Sequence, residues 1–121
     1  MTGPLKVAKR RFPGRALHQH NAAITVVRTA AEEMEILARV LADNCNEATG
    51  AWNILVPMGG FSAFDSPNGP LPDPAARERF LKTLQGELKD PAMLQTLPCH
   101  VNDPAFAEAV IGAIDRVMAL V

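Results

Sequence analysis

The chain has 121 residues, 48% hydrophobic and 21% charged, with 12 Lys and Arg against 13 Asp and Glu for a formal net charge of −1. This length and composition predict one globular domain with a real core; the balanced charge and 5% aromatic content exclude a whole-molecule field for nucleic acid or anionic membrane and a base-stacking platform. No apolar run approaches the roughly 18 residues of a membrane span and no signal-peptide core follows the N-terminal charges, which predicts a cytoplasmic protein.

Residues 1–17 carry Lys6, Lys9, Arg10, Arg11 and Arg15. They read as a basic arm, solvated or set against another domain, in which Leu5, Val7, Phe12 and Leu17 could supply an extra strand. The α/β domain proper is predicted over 18–121. It begins with His18-Gln19-His20-Asn21, where an extended backbone puts both imidazoles on one face, as a metal pair requires. No third ligand is near in sequence, so a hydrogen-bonding or interface role is the stronger reading and no metal is called for. These histidines precede the first strand and are expected at the sheet edge opposite Ser62.

The β-branched run Ile24 to Arg28 predicts that first strand, and Thr29-Ala30-Ala31-Glu32 has the spacing of a capping box opening a helix. Met34, Leu37, Ala38, Leu41 and Ala42 give that helix an inward stripe ending near Gly50. Trp52 to Pro57 is almost wholly apolar, as in a strand buried on both faces of a parallel sheet. Ser66 to Pro72 is rich in turn formers and forms a long, closable loop. Asp73-Pro74 caps a helix with Phe80, Leu81, Leu84 and Leu88 inward. A third strand is expected within Leu94 to Cys99. Asp103-Pro104 then opens a helix with Phe106, Val110, Ile111, Ile114, Val117 and Met118 inward. Cys45 and Cys99 lack C-x-x-C spacing and read as reduced, half-buried thiols.

The order β-α-β-α-β-α predicts a small three-layer α/β domain of Rossmann-like type, with a parallel sheet of three to four strands and helices on both faces. So narrow a sheet leaves an edge and a face open, which predicts an added strand or a homo-oligomer.

In such a sheet ligands bind beyond the carboxyl ends of the strands. Arg28 and Thr29, then Gly59 to Asp65, then His100-Val101-Asn102-Asp103 all leave strands there and should converge. Helix N-termini at the same edge favour an anion. One reading is a binding site for phosphate or another small anion, built from Arg28, Thr29, the Gly59-Gly60 backbone, Phe61, Ser62 and Asn102. Neither G-x-x-x-x-G-K-[ST] nor G-x-G-x-x-G is present. A second reading makes Ser62 a nucleophile, His100 its base and Asp103 or Asp65 the group orienting the imidazole, in a serine hydrolase acting on small esters or amides. The G-x-S-x-G signature is incomplete because residue 64 is Phe. A third reading is an oligomerising interaction module.

Several of these motifs occur in one order: His18 to Asn21, the Ile24 to Thr29 strand, Gly59-Gly60-Phe61-Ser62-Ala63-Phe64-Asp65, Pro72-Asp73-Pro74, and His100 to Phe106. Together, over about residues 10–121, they resemble the C-terminal domain of the family typified by the tomato mosaic virus resistance protein. The resemblance implies ATP as ligand and, in family members, a Rossmann-like domain ahead of the matched part; it also implies that the plant member binds viral replication proteins. The Gly59 to Asp65 loop and the His100 to Asp103 turn are then the ligand-facing pieces.

Overall fold

A computed structural model describes residues 1–120. The first element is not a strand: α1 (Leu5–Arg11) is a helix starting after Pro4, with Ala8 fully buried. Leu, Lys, Ala and Arg are good helix formers, and Lys9, Arg10 and Arg11 fall in the last turn, where cations complement the helix dipole. Leu5 and Val7 therefore add nothing to a sheet.

β1 (Leu17–Gln19) pairs antiparallel with β2 (Thr25–Val27), in register Leu17 with Val27 and Gln19 with Thr25. The connection is fixed by Asn21, whose Oδ1 accepts hydrogen bonds from the N–H groups of Ala23 and Ile24, both at 2.9 Å. Such a side-chain turn closes a hairpin locally. The other edge of β2 is occupied too, since Thr25 exchanges two backbone hydrogen bonds with Thr2. With both edges taken, β2 does not join β3 (Ile54–Pro57). Among the described residues the expected three-to-four-stranded parallel sheet is therefore replaced by two two-stranded sheets, of which only β3 with β4 (Leu94–Leu97) is parallel. Local hairpin closure avoids the loop entropy of a crossover, which is the physical reason for the difference.

α2 (Ala31–Glu47) and α3 (Pro74–Glu87) pack side by side on one face of β3 and β4. The small Ala38 and Ala42 let the helices approach, and with Ile54, Val56, Leu84 and Leu88 they form the core. The N-terminus of α2 lies one residue beyond the expected box: Glu33, not Glu32, reaches back to the Ala30 N–H at 2.8 Å. Arg15 holds the same carboxylate from outside at 2.5 Å, and both contacts keep the Glu33 carboxyl below the usual carboxylate range. Asp73 caps α3 through the Ala76 N–H, as expected.

α4 (Pro104–Met118) lies against β3 on the opposite side, that of Leu55. Its packing is thinner than its sequence promised. Only Ala113 is buried, and Ile111, Ile114 and Met118, expected inside, are 61%, 54% and 65% exposed. Leu37, placed on the inner stripe of α2, is likewise exposed. The periodicity identified apolar faces correctly, but nothing among the described residues covers them. Cys45 and Cys99 are free and half-buried, and burial pushes the Cys45 thiol up. No described helix is long and apolar enough to cross a membrane.

Candidate functional site

The Gly59 to Asp65 segment leaves β3 and folds back on itself around one buried carboxylate. Asp65 closes a single 3-10 turn (Ala63–Asp65) and is 1% exposed. Its Oδ1 lies 2.6 Å from Arg77 Nη1 and 3.0 Å from Arg28 Nη1, and also accepts the Asp73 N–H at 3.1 Å. Its Oδ2 accepts the Phe61 N–H at 3.2 Å. Arg77 is itself buried, and its Nε donates to the Met58 carbonyl. A carboxylate with two guanidinium partners and two amide donors meets the condition for burying charge. The Arg28 guanidinium also reaches Asp73, with Nε 3.7 Å from Oδ2. Thus β2, the loop and the first turn of α3 are clamped at one point although β2 and β3 are unpaired.

The two glycines serve this closure. The Gly59 N–H donates to Cys99 O and the Gly60 N–H to Pro57 O, so neither amide faces a ligand. A Cβ at Gly59 would stand 2.6 Å from the Cys99 carbonyl carbon, and one at Gly60 would strike the Asp65 carbonyl and the His100 ring. Gly60 also has φ 140°, which only glycine adopts readily. The pair is thus explained by close backbone approach.

His100 enters from the turn after β4. Its Nδ1 accepts the Asn102 N–H at 3.1 Å, which puts the ring proton on Nε2, and Nε2 donates to the Ser62 carbonyl at 2.8 Å. Asp103 Oδ2 accepts the His100 backbone N–H at 2.7 Å; it does not touch the imidazole, and it makes no side-chain cap on α4. Ser62, His100 and Asp103 are therefore neighbours, but their hydrogen bonds do not form a relay. Asp65 is held by arginines and cannot orient His100.

Expected ligand residues distribute as follows. Arg28 joins the loop through Asp65, His100 through the Ser62 carbonyl and close approach to Gly60, and Asn102 through His100, whereas Thr29 is half-buried and makes no hydrogen bond with them. Phe61 turns inward and stacks edge-on with Phe80 at 5.5 Å. Phe64 instead meets His18 at 5.6 Å and His20 at 5.8 Å. The histidines, expected at the opposite edge, thus border the same loop, because the hairpin folds β1 back toward it. Among the described residues no group of three metal-ligating side chains exists.

The Ser62, Ala63 and Phe64 N–H groups and the Ser62 hydroxyl make no hydrogen bond among the described residues. Ser62 is extended, so its own N–H points away from the next two; the Ala63 and Phe64 amides, which open the 3-10 turn beside the Ser62 hydroxyl, can receive an oxyanion. Arg77 was not foreseen as part of the cluster. Its signal was legible: it is the one cation on the stripe that Phe80, Leu81 and Leu84 continue.

Residues 1–118 match the model of the uncharacterised protein family (UPF0261) C-terminal domain. A UPF0261 protein of Rhizobium meliloti is 36% identical over 105 residues, covering 85% of this chain and 26% of that protein. A second, from Mesorhizobium japonicum, is 31% identical over 107 residues, 87% of this chain and 27% of the relative. The ToMV resistance protein Tm-1(GCR237) of Solanum lycopersicum is 31% identical over 113 residues, 92% of this chain and 15% of the plant protein. The chain thus spans about a quarter of the length of the bacterial relatives. It belongs to the UPF0261 family and corresponds to its C-terminal domain.

Proposed function

We propose that this domain binds an anionic small molecule, a phosphate-bearing nucleotide in the reading that its family resemblance favours, at the Gly59 to Asp65 loop. The observation that carries this is the pair of unpartnered amides of Ala63 and Phe64 at the start of the 3-10 turn, next to the free Ser62 hydroxyl. Phosphate oxygens accept from such amides, and Phe64 with its flanking histidines offers a base a ring to lie against. The Asp65 cluster serves as support: it fixes the loop so that the amides stay aligned before a ligand arrives.

The test is thermal melting with ATP and, separately, with inorganic phosphate. A ligand confined to the folded state at a hundred times its Kd adds about 2.7 kcal/mol of stability. Ala63→Pro deletes one of the two amide donors at the first position of the 3-10 turn, after an extended Ser62, where proline fits the backbone. The variant should melt near the parent temperature yet lose most of the ligand-induced shift. An equal shift in both proteins, or none in the parent at millimolar ligand, rules the site out.

The alternative, hydrolysis of small esters or amides through Ser62, requires His100 Nε2 to move from the Ser62 carbonyl to the Ser62 hydroxyl. Chromogenic short-chain esters test it. Hydrolysis by the parent that Ser62→Ala and His100→Ala both abolish would favour it over simple binding, and equal rates in all three would exclude it.

A further inference from the structure

The loop after the 3-10 turn holds the chain's one Asn-Gly pair, Asn68-Gly69. Glycine, having no Cβ, offers the least hindered backbone nitrogen to the side-chain amide of the residue before it. The other five asparagines precede residues that carry a side chain, and Asn21, Asn46 and Asn53 also have their amides held in hydrogen bonds. Asn68 is exposed, and its side chain makes no hydrogen bond among the described residues.

We propose that Asn68 is a modification site, deamidating through Gly69 at a rate set by local opening of the 66–71 segment. The step needs only water. The Gly69 nitrogen gives up its proton to solvent and attacks Asn68 Cγ; the side-chain nitrogen takes up a proton and leaves as ammonia, closing a succinimide. Water then opens either carbonyl of the ring, giving aspartate or isoaspartate, and nothing is oxidised or reduced. The product carries a new negative charge, and the isoaspartyl form an added backbone methylene, in the segment seated on Phe64. The conversion is independent of the anion site.

The closed loop opposes the first step. Ser66 to Gly69 is a turn in which the Gly69 N–H donates to Ser66 O at 2.9 Å, so the nitrogen that must lose its proton has that proton engaged. With Pro67 in second place and no positive φ at Asn68, the turn is type I, which holds Asn68 ψ at about 0°. Ring closure needs that angle rotated until the Gly69 nitrogen eclipses Cβ. Packing resists the rotation: a Cβ on Gly69 would stand 2.6 Å from Phe64 O, so the Gly69 backbone lies directly against that carbonyl. Phe64 O also accepts the Leu71 N–H at 2.8 Å, and the Leu71 side chain is buried. Asn68 therefore reacts only after the segment lifts from Phe64 and Leu71 leaves its place. The same contact keeps glycine at 69, since any side chain there strikes Phe64 O.

Peptide mapping by mass spectrometry with an isoaspartate assay reads the rate at each asparagine, in the folded chain and in guanidinium chloride at the same mildly alkaline pH. The unfolded chain should convert first at Asn68, and the folded parent at least about tenfold more slowly there. Leu71→Ala should speed the folded rate about tenfold by easing the opening, and leave the unfolded rate unchanged. Leu84→Ala, in the core cluster that does not include Leu71, should change the folded rate by less than about twofold while circular dichroism reports both variants folded. Asn68→Gln, whose longer side chain closes a ring far more slowly, should abolish the conversion. Equal folded and unfolded rates in the parent, faster conversion at another asparagine, or Leu84→Ala accelerating as much as Leu71→Ala would each overturn the proposal.

Discussion

Replacing Asp65 by alanine tests the role assigned to the buried cluster. The carboxylate is 1% exposed and accepts from Arg77, Arg28 and the Asp73 and Phe61 amides. Its removal strands the buried Arg77 guanidinium, a class of change that costs about 3–5 kcal/mol. The two amides add about 1 kcal/mol each where water cannot replace the lost oxygen, and the opened site admits water to Arg28, which offsets part of this. The expected loss is about 4 kcal/mol. At about 4 °C per kcal/mol for a domain of this size, the melting temperature should fall by about 15 °C. Urea denaturation of Asp65→Ala, Arg77→Met and the double variant measures it. The double variant should be less destabilised than the sum of the singles, by about 1–3 kcal/mol, since the buried Arg77 cation is gone. A loss below about 1 kcal/mol for Asp65→Ala, or strictly additive singles, would refute the idea that this carboxylate clamps β2, the loop and α3 together.

Other outcomes follow from the same structure. Gly59→Ala and Gly60→Ala should each cost about 3 kcal/mol or more, because rigid backbone blocks the new methyl, whereas Gly86→Ala in α3, with open space at its Cβ, should stabilise by about 0.5–1 kcal/mol; chemical denaturation of the three variants checks the contrast. Leu84→Ala, at a fully buried core position, should lose about 2–5 kcal/mol in the same assay. The Arg15 contact lowers the Glu33 carboxyl in the folded state, so its stabilisation is present above the unfolded value of about 4.3 and is lost as pH falls through the lower folded value. Glu33 is half exposed, so this amounts to less than about 1 kcal/mol, and Glu33→Gln should flatten the acid side of the stability curve while changing the neutral plateau by no more than that.

Much of the fold was legible where chemistry is local. Asp73-Pro74 and Asp103-Pro104 mark the starts of α3 and α4, and Ile54 to Pro57 is the apolar strand its composition promised. The pairing of β2 was not legible from periodicity, which is silent on partners; the relevant signal was Asn21, a turn former read only as part of a polar cluster. Apolar faces were located on α2 and α4, but periodicity does not say whether a face is covered within the chain or left for another. The site was legible as a place and not as a bonding pattern. Arg28 reaches the loop at Asp65, and His100 reaches it at the backbone of Ser62 instead of its hydroxyl. Sequence names the polar groups of a loop, while the acceptor each one takes depends on closure to within an ångström.

The most direct measurement is an amide-resolved NMR titration of the chain with ATP and with inorganic phosphate. The Ala63 and Phe64 amide resonances should shift first and furthest, with Asn102 and the His18 and His20 ring signals following for ATP alone. Saturating ligand that leaves those two amides unmoved, or that moves only signals remote from the loop, would contradict the proposed binding site.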